Sequence, residues 1–415
     1  MGLEIGNINV QEIVFGEQTG LRGKCLTIAG DNLGEQLKAQ DHRIEKVTVS
    51  LVRPGDACRI ICIKDVIEPW CKVSGTKPGS GRNHRLKNVA VVTCGRIVGF
   101  QEGIIDMSGP GARYTPFSET LNVVLEIAVD PTLTPHSHEE VIRQAGLAAA
   151  AFLGEAARTI TPDEILTFNA PDPNRRISNR PRIAYLYLLL SQGLLHDSYL
   201  FGENVKTAGL PCTIAPHLLQ DNAIVSGNCV SACDKNTSWH HQNNPLLLEL
   251  YRGDGREFDF IGVVLSPEPT RLSEKEAAAK KAVALLQELQ PDGVIISKEG
   301  FGNPDADLMM LVRGLEEAGI KTCALTDEFA GPDGLSQSLA DATPKADAIV
   351  STGNANQRIL LPPMPRVIGP LRDLGRLAGA YPQSLKDDGS LEIELQGIIG
   401  ATNELGTQKL STREV

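Results

Sequence analysis

The chain is poor in what a nucleic-acid partner would need. Its 40 lysines and arginines are outnumbered by 51 aspartates and glutamates, a net charge of −11, whereas phosphate binding requires clustered cations. Aromatic residues make up 4% of it, with two tryptophans, so few platforms exist for stacking single-stranded bases. No apolar run approaches the roughly 18 residues of a membrane-spanning helix. The nearest, 145–153 and 183–190, are short and read as buried helix. The early acid in Met1-Gly2-Leu3-Glu4-Ile5 and the lack of a basic segment there argue against a signal peptide. Gly6 also stands where a myristoylation signal takes Ser or Thr. Nine cysteines, an odd number scattered over 415 residues, do not make a disulfide framework. A phosphate-binding P-loop sequence is missing too. The expectation is a cytoplasmic protein that binds neither nucleic acid nor membrane.

At this length the chain exceeds the roughly 250–300 residues of a single core, so several domains are expected. Apolar and polar residues alternate through 46–52, and 59–64 and 89–94 are β-branched runs bounded by Gly and Pro. Residues 1–130 therefore read as a mostly-β N-terminal domain. A basic stretch, 72–87, reads as a solvated loop or as a dock for an acidic partner. Residues 131–254 form a mixed α/β segment. Ser137 and Glu140 have capping-box spacing at the start of a helix reaching 158. An apolar element follows at 182–192 and a short strand at 212–214. From 255 to 415, strands at 258–265, 293–297, 321–325 and 348–351 alternate with helices at 273–290 and 305–317. That alternation implies a parallel sheet, so the fold class is α/β with a Rossmann-like domain at the end. Ligands of such sheets gather at the carboxyl ends of the strands, here Lys298-Glu299-Gly300-Phe301-Gly302-Asn303, Asp327-Glu328 and Gly353-Asn354. The stretch from Thr402 is polar, with a frayed end expected.

The most informative pair is Asn228-Cys229, within Ser226-Gly227-Asn228-Cys229-Val230-Ser231-Ala232-Cys233-Asp234-Lys235. A cysteine sulfur can attack the preceding carbonyl and turn the amide into a thioester. Elimination with loss of the sulfur, which departs as the thiocarboxylate end of the upstream fragment, leaves dehydroalanine, and tautomerisation and hydrolysis with release of ammonia then leave a pyruvoyl group. That carbonyl condenses with amines and acts as an electron sink. Gly227 allows a strained turn, and Ser226 and Asn228 can bond to the scissile amide and tilt it.

The run 223–235 resembles the processing site of the component B proprotein of the glycine/sarcosine/betaine reductases. Similar in the same way are Ser191-Gln192-Gly193-Leu194-Leu195-His196-Asp197, Ile296-Ser297-Lys298-Glu299-Gly300-Phe301-Gly302-Asn303-Pro304-Asp305 and Val350-Ser351-Thr352-Gly353-Asn354-Ala355-Asn356. Arg53-Pro54-Gly55 and Lys64-Asp65-Val66-Ile67-Glu68-Pro69 belong with them, so the likeness runs from about residue 3 to about residue 400. The resemblance implies cleavage at 228/229, a pyruvoyl cofactor derived from Cys229, and an amino-acid substrate held as a Schiff base for reductive deamination. It implies an oxidoreductase in a hetero-oligomer with the other reductase components. The sequence has no selenocysteine, so the resemblance also implies a selenocysteine-containing subunit as partner. Acyl phosphate would be a product of the whole complex.

Other readings stay open at this stage. His196 is a candidate acid or base for processing or imine formation, or a structural histidine. Lys235, with Asp234, is a candidate for polarising the carbonyl or binding the substrate carboxylate; Lys298 and Glu299 could do the same or cap a strand. Cys229, Cys233, His240 and His241 have zinc-type donors at an unusual spacing, and no metal is expected. Gly300-Phe301-Gly302 lacks the third glycine of a dinucleotide fingerprint and reads as a tight turn. A D-proline reductase-like pyruvoyl subunit is the nearest alternative function. A non-catalytic Rossmann-like scaffold with Asn228-Cys229 intact is the alternative from another class. If the chain processes itself, residues 226–232 should be at least partly buried, with Val225 and Val230 in apolar contact. The scissile bond should sit in a tight turn near the ends of the parallel strands, with a donor close by.

Overall fold

The computed structural model describes residues 2–98, 103–171, 179–192, 197–227 and 236–407. It is a mixed α/β fold, as expected, built on two six-stranded sheets and several smaller ones. In the first half, Cys58–Ile67, Val89–Cys94, Leu121–Val129 and Ile44–Val52 lie side by side, with Gly103–Asp106 at one edge. All ten residues of Cys58–Ile67 are buried. The helix Pro135–Gly154 covers this sheet through Val141, Ile142, Ala145, Ala149 and Leu153, an apolar stripe at helical spacing.

That helix is capped three residues earlier than the capping-box reading placed it. Thr134, not Ser137, is the cap, and its hydroxyl accepts from Ser137 N at 3.3 Å. Pro135 suits the first helical position because its φ is already helical and its missing N–H would have had no partner there.

The basic stretch 72–87 is not a loop. Trp70–Ser74 and Gly81–Lys87 form an antiparallel pair within a second sheet, next to Leu3–Asn9. Three of its cations are paired from within the chain: Lys72 by Asp221 at 2.8 Å, Arg82 by Glu4 at 2.6 Å and Lys87 by Glu68 at 2.5 Å. Arg85 is buried and donates to the carbonyls of Gln242 and Gln220.

In the second half the order is Cys212–Ile214, Asp259–Glu268, Arg182–Leu190, Gly293–Ser297, Lys321–Glu328, Ile349–Asn354. Every pairing is parallel except that of Cys212–Ile214. Leu272–Leu289 and Asn303–Glu317 pack on one face, and Pro245–Gly253 contributes to the other. The run 183–190, expected to be helix, is a central strand. Both of its faces are covered, so its side chains are apolar without alternation, and periodicity alone cannot tell such a strand from a buried helix.

This sheet begins at 182, and the expected boundary at 254/255 falls between its strands. The last part of the chain also returns to the first half. Arg366–Ile368 pairs in parallel with Cys58–Ile67, and Ile359, Leu361, Leu391 and Ile393 share a core with Ile61 and Ile104. Thr402, Asn403 and Glu404, expected in a polar tail, are buried.

Candidate functional site

The carboxyl ends of the parallel strands converge on buried charge. Lys298, which follows Gly293–Ser297, is wholly buried and meets Glu404 at 2.7 Å, Asp305 at 3.0 Å and Asp327 at 3.5 Å. Its ammonium also donates to Gly300 O at 2.5 Å. Burial works against its charge, but Glu404, Asp327 and Asp305 outweigh burial and hold it protonated well above the usual lysine range. Glu268, at the end of Asp259–Glu268, accepts from Glu299 N at 2.9 Å. Its burial, with Asp307 and Glu299 nearby, pushes its carboxyl well above the usual range. Gly300 N donates to Glu404 at 2.8 Å. A carboxylate thus occupies a donor that a dinucleotide phosphate would use, in keeping with the tight-turn reading of Gly300-Phe301-Gly302.

Glu299 joins distant segments. Its carboxylate accepts from Asn236 N at 2.8 Å, Leu190 N at 3.2 Å and Ser198 Oγ at 3.5 Å. Asn228, Cys229 and Lys235 lie outside the described residues, and so does His196. The residues that flank them are described, and they meet here. Asn236 follows Lys235, while Leu190 and Ser198 bracket the stretch that contains His196.

The approach to Asn228 is held separately. Tyr199 pairs with Val225 in a short antiparallel ladder. Ser226 N donates to Ser238 Oγ at 3.1 Å, and Ser238 in turn donates its hydroxyl to Asp65 Oδ2 at 2.6 Å and its N–H to Oδ1 at 3.0 Å. Gly227 lies against the Asp197 backbone, and a Cβ there would come within 2.2 Å of the Asp197 carbonyl oxygen. Only glycine fits so close an approach. Asp197 is itself fixed by Asn204 and by Lys206, each at 3.0 Å.

Ser226 and Gly227 are buried and Val225 is half-buried, which matches the expectation for that part of 226–232. The turn at Asn228-Cys229, the packing of Val230 and the nearby donor all fall outside the described residues. So does half of the zinc alternative, and its two histidines have separate neighbours. His240 Nδ1 lies 2.8 Å from Thr237 Oγ1 and closes a capping box, whereas His241 Nδ1 lies 2.6 Å from the Tyr187 hydroxyl. Among the described residues no group of His, Cys, Asp or Glu is placed to hold a metal ion, and no helix is long and apolar enough to cross a membrane.

Beside Val225 and Ser238 opens a cleft of about 660 Å3, walled by Ile67, Trp70, Arg143 and Tyr199. Sequence reasoning missed Asp65, Ser238 and Arg143. Asp65 stood in a motif that already resembled the family, but its partner lies 173 residues away, and nothing local pointed to it.

A family model described as glycine/sarcosine/betaine reductase component B subunits matches residues 1–413. The chain is 46% identical to the glycine reductase complex component B subunits alpha and beta of Peptoclostridium acidaminophilum, over all of both chains. It is 42% identical to the sarcosine reductase complex component B subunit alpha of the same organism, again over all of both. The D-proline reductase proprotein of Acetoanaerobium sticklandii is 21% identical, over 78% of this chain and 55% of that one. No solved structure matches.

Proposed function

The chain belongs to the family of glycine/sarcosine/betaine reductase component B subunits, and on that premise we propose that it is a proprotein that cuts itself between Asn228 and Cys229. The observation that carries this reading is the pinning of both flanks of the stretch. Ser226 is held through Ser238 by Asp65, Gly227 is wedged on Asp197, and Asn236 is held by Glu299. Self-cleavage requires a thiol aimed at a carbonyl, and buried, bonded flanks restrict the segment between them as a solvated loop could not. The pyruvoyl group left at Cys229 would supply an electrophilic carbonyl that takes the substrate amine as a Schiff base and loosens its carbon–nitrogen bond.

The chain's own residues position the reactants. Glu299 ties the flanks of the His196 stretch to that of Lys235. Glu268, in a buried place, backs the Glu299 amide by accepting from its N–H. Reduction is assigned to a selenocysteine-containing partner in a hetero-oligomeric complex. The substrate is glycine or its N-methylated relative sarcosine. Betaine's quaternary nitrogen cannot form a Schiff base, and the proline reductase relative covers the chain less fully.

A denaturing gel tests the reading. Purified protein should run as two fragments, of 228 residues and of 187 (415 − 228), while native gel filtration should give one peak. One peak is expected because Arg182–Leu190 of the first product lies between Asp259–Glu268 and Gly293–Ser297 of the second. The Cys229→Ala variant should remain a single band, since alanine has neither nucleophile nor leaving group. Complete cleavage of that variant would remove Cys229 from its role. A single full-length band from the unaltered protein would favour the scaffold.

A further inference from the structure

We propose that the cleft beside Val225 and Ser238 is a binding site for the carboxylate of a small amino acid, and that Arg143 holds it. The amine's fate rests on the function proposed above; the carboxylate site does not. Arg143 projects from the middle of the Pro135–Gly154 helix and is 7% exposed. Among the described residues its Nε alone is hydrogen-bonded, donating to Glu139 Oε1 at 2.8 Å. The guanidinium carbon sits over the Tyr199 ring, 3.7 Å from its centroid, and the Tyr199 hydroxyl donates to the other oxygen of Glu139 at 3.4 Å.

That arrangement holds the guanidinium in place through its Nε and the Tyr199 ring. The two terminal nitrogens have no hydrogen-bond partner among the described residues, yet they are not sealed into the core. Arg143 lines a cleft whose other walls include Ile67, Ala145, Ile224 and Val225. A guanidinium edge with its donors free, in apolar surroundings, is costly unless something accepts from it. A carboxylate matches two parallel N–H donors in both geometry and charge. Stacking on Tyr199 and the bond to Glu139 cover the rest of the group, so the free edge has one approach.

The same cleft is lined by Val225 and Ser238, the residues on either side of the stretch that carries Asn228-Cys229. A carboxylate on Arg143 would leave the amino end of a short molecule directed along the cleft. The volume lies within the roughly 300–1,000 Å3 of small-molecule sites and exceeds a two-carbon amino acid, which leaves room for N-methyl groups against the apolar wall.

Trp70 lines the cleft, so its fluorescence reports occupancy without any need for the cofactor. Glycine should titrate the signal, and glycinamide, which lacks the anionic carboxylate, should need more than about tenfold higher concentration. The Arg143→Gln variant should move the glycine midpoint by about the same factor and leave that of glycinamide unchanged, with Arg143→Lys between them. Equal midpoints for glycine and glycinamide in the unaltered protein would overturn the proposal, as would an unmoved glycine midpoint in Arg143→Gln. If that variant does not fold, the comparison of the two ligands decides alone. Borohydride capture of radiolabelled glycine on the C-terminal fragment is the separate arm. Fluorescence binding without capture would overturn the pyruvoyl reading and keep Arg143, whereas capture at equal midpoints for the two ligands would do the reverse.

Discussion

Replacing Glu299 with glutamine should slow self-cleavage without unfolding the chain. The carboxylate takes Asn236 N on one oxygen and Leu190 N, with Ser198 Oγ, on the other. An ionised carboxylate can only accept, so all three donors are satisfied. Glutamine keeps the shape but turns one oxygen into an NH2, which must then face either the Asn236 N–H or the Leu190 N–H. One of those bonds is lost whichever way the amide is oriented. A hydrogen bond to a charged acceptor is worth about 1.5–3 kcal/mol. If that energy holds the segment in its reactive geometry, cleavage slows by roughly 10- to 150-fold, since about 1.4 kcal/mol is a factor of ten. The assay is the disappearance of the full-length band with time after synthesis, on a denaturing gel. A urea melt of the Cys229→Ala chain, with and without the change, measures the stability cost alone. Cleavage at the wild-type rate beside a clear loss of stability would refute the argument and make Glu299 a purely structural tie.

Two further outcomes follow from buried charge. Lys298→Met leaves Glu404, Asp305 and Asp327 without their common cation and should cost about 3–5 kcal/mol, read from the urea midpoint; adding Glu404→Gln should recover part of that loss, and an unmoved midpoint would contradict the assigned pairing. His138 is buried, its Nδ1 has no hydrogen-bond partner among the described residues, and burial, then Lys64 and Arg96, lower its pKa to about 3. An unfolded histidine titrates near about 6.5. As pH falls from there towards 3, the unfolded chain therefore takes a proton that the folded one refuses. Stability should then be lost with acidification, by up to about 1.4 kcal/mol per pH unit from this residue. His138→Gln should flatten that dependence in urea melts at pH 7 and pH 5, and equal slopes for both proteins would count against it.

Local pattern was a good guide wherever one segment carries its own reason. Gly293–Ser297 is a strand at the expected bounds, because β-branched residues follow a turn and precede a charged loop. The alternation through Ile44–Val52 and the helix over Leu272–Leu289 were visible for similar reasons. Motif likeness carried the family, and with it the expectation at Asn228-Cys229. Two readings failed where burial erased the signal or pairing hid it. Arg182–Leu190 has no polar face to betray its period, and the cations of Gly81–Lys87 look solvated until Glu4, Glu68 and the Gln242 carbonyl arrive beside them.

What the sequence determined by itself was the class of fold, the run of most elements and the pair of residues around which the chemistry is proposed. Only the tertiary structure decided which carboxylates and cations hold the described residues on either side of that pair. Glu299 reaches Leu190 across 109 residues because two paired parallel strands end side by side, and Asp65 reaches Ser238 across 173 because a short helix packs its first turn against the strand Cys58–Ile67. Arg143 gains its fixed position only when Tyr199 and the wall of the cleft close around it. Residue types and short spacings set local conformation, but a charge acquires its partners, and so its role, from packing between segments far apart in the chain.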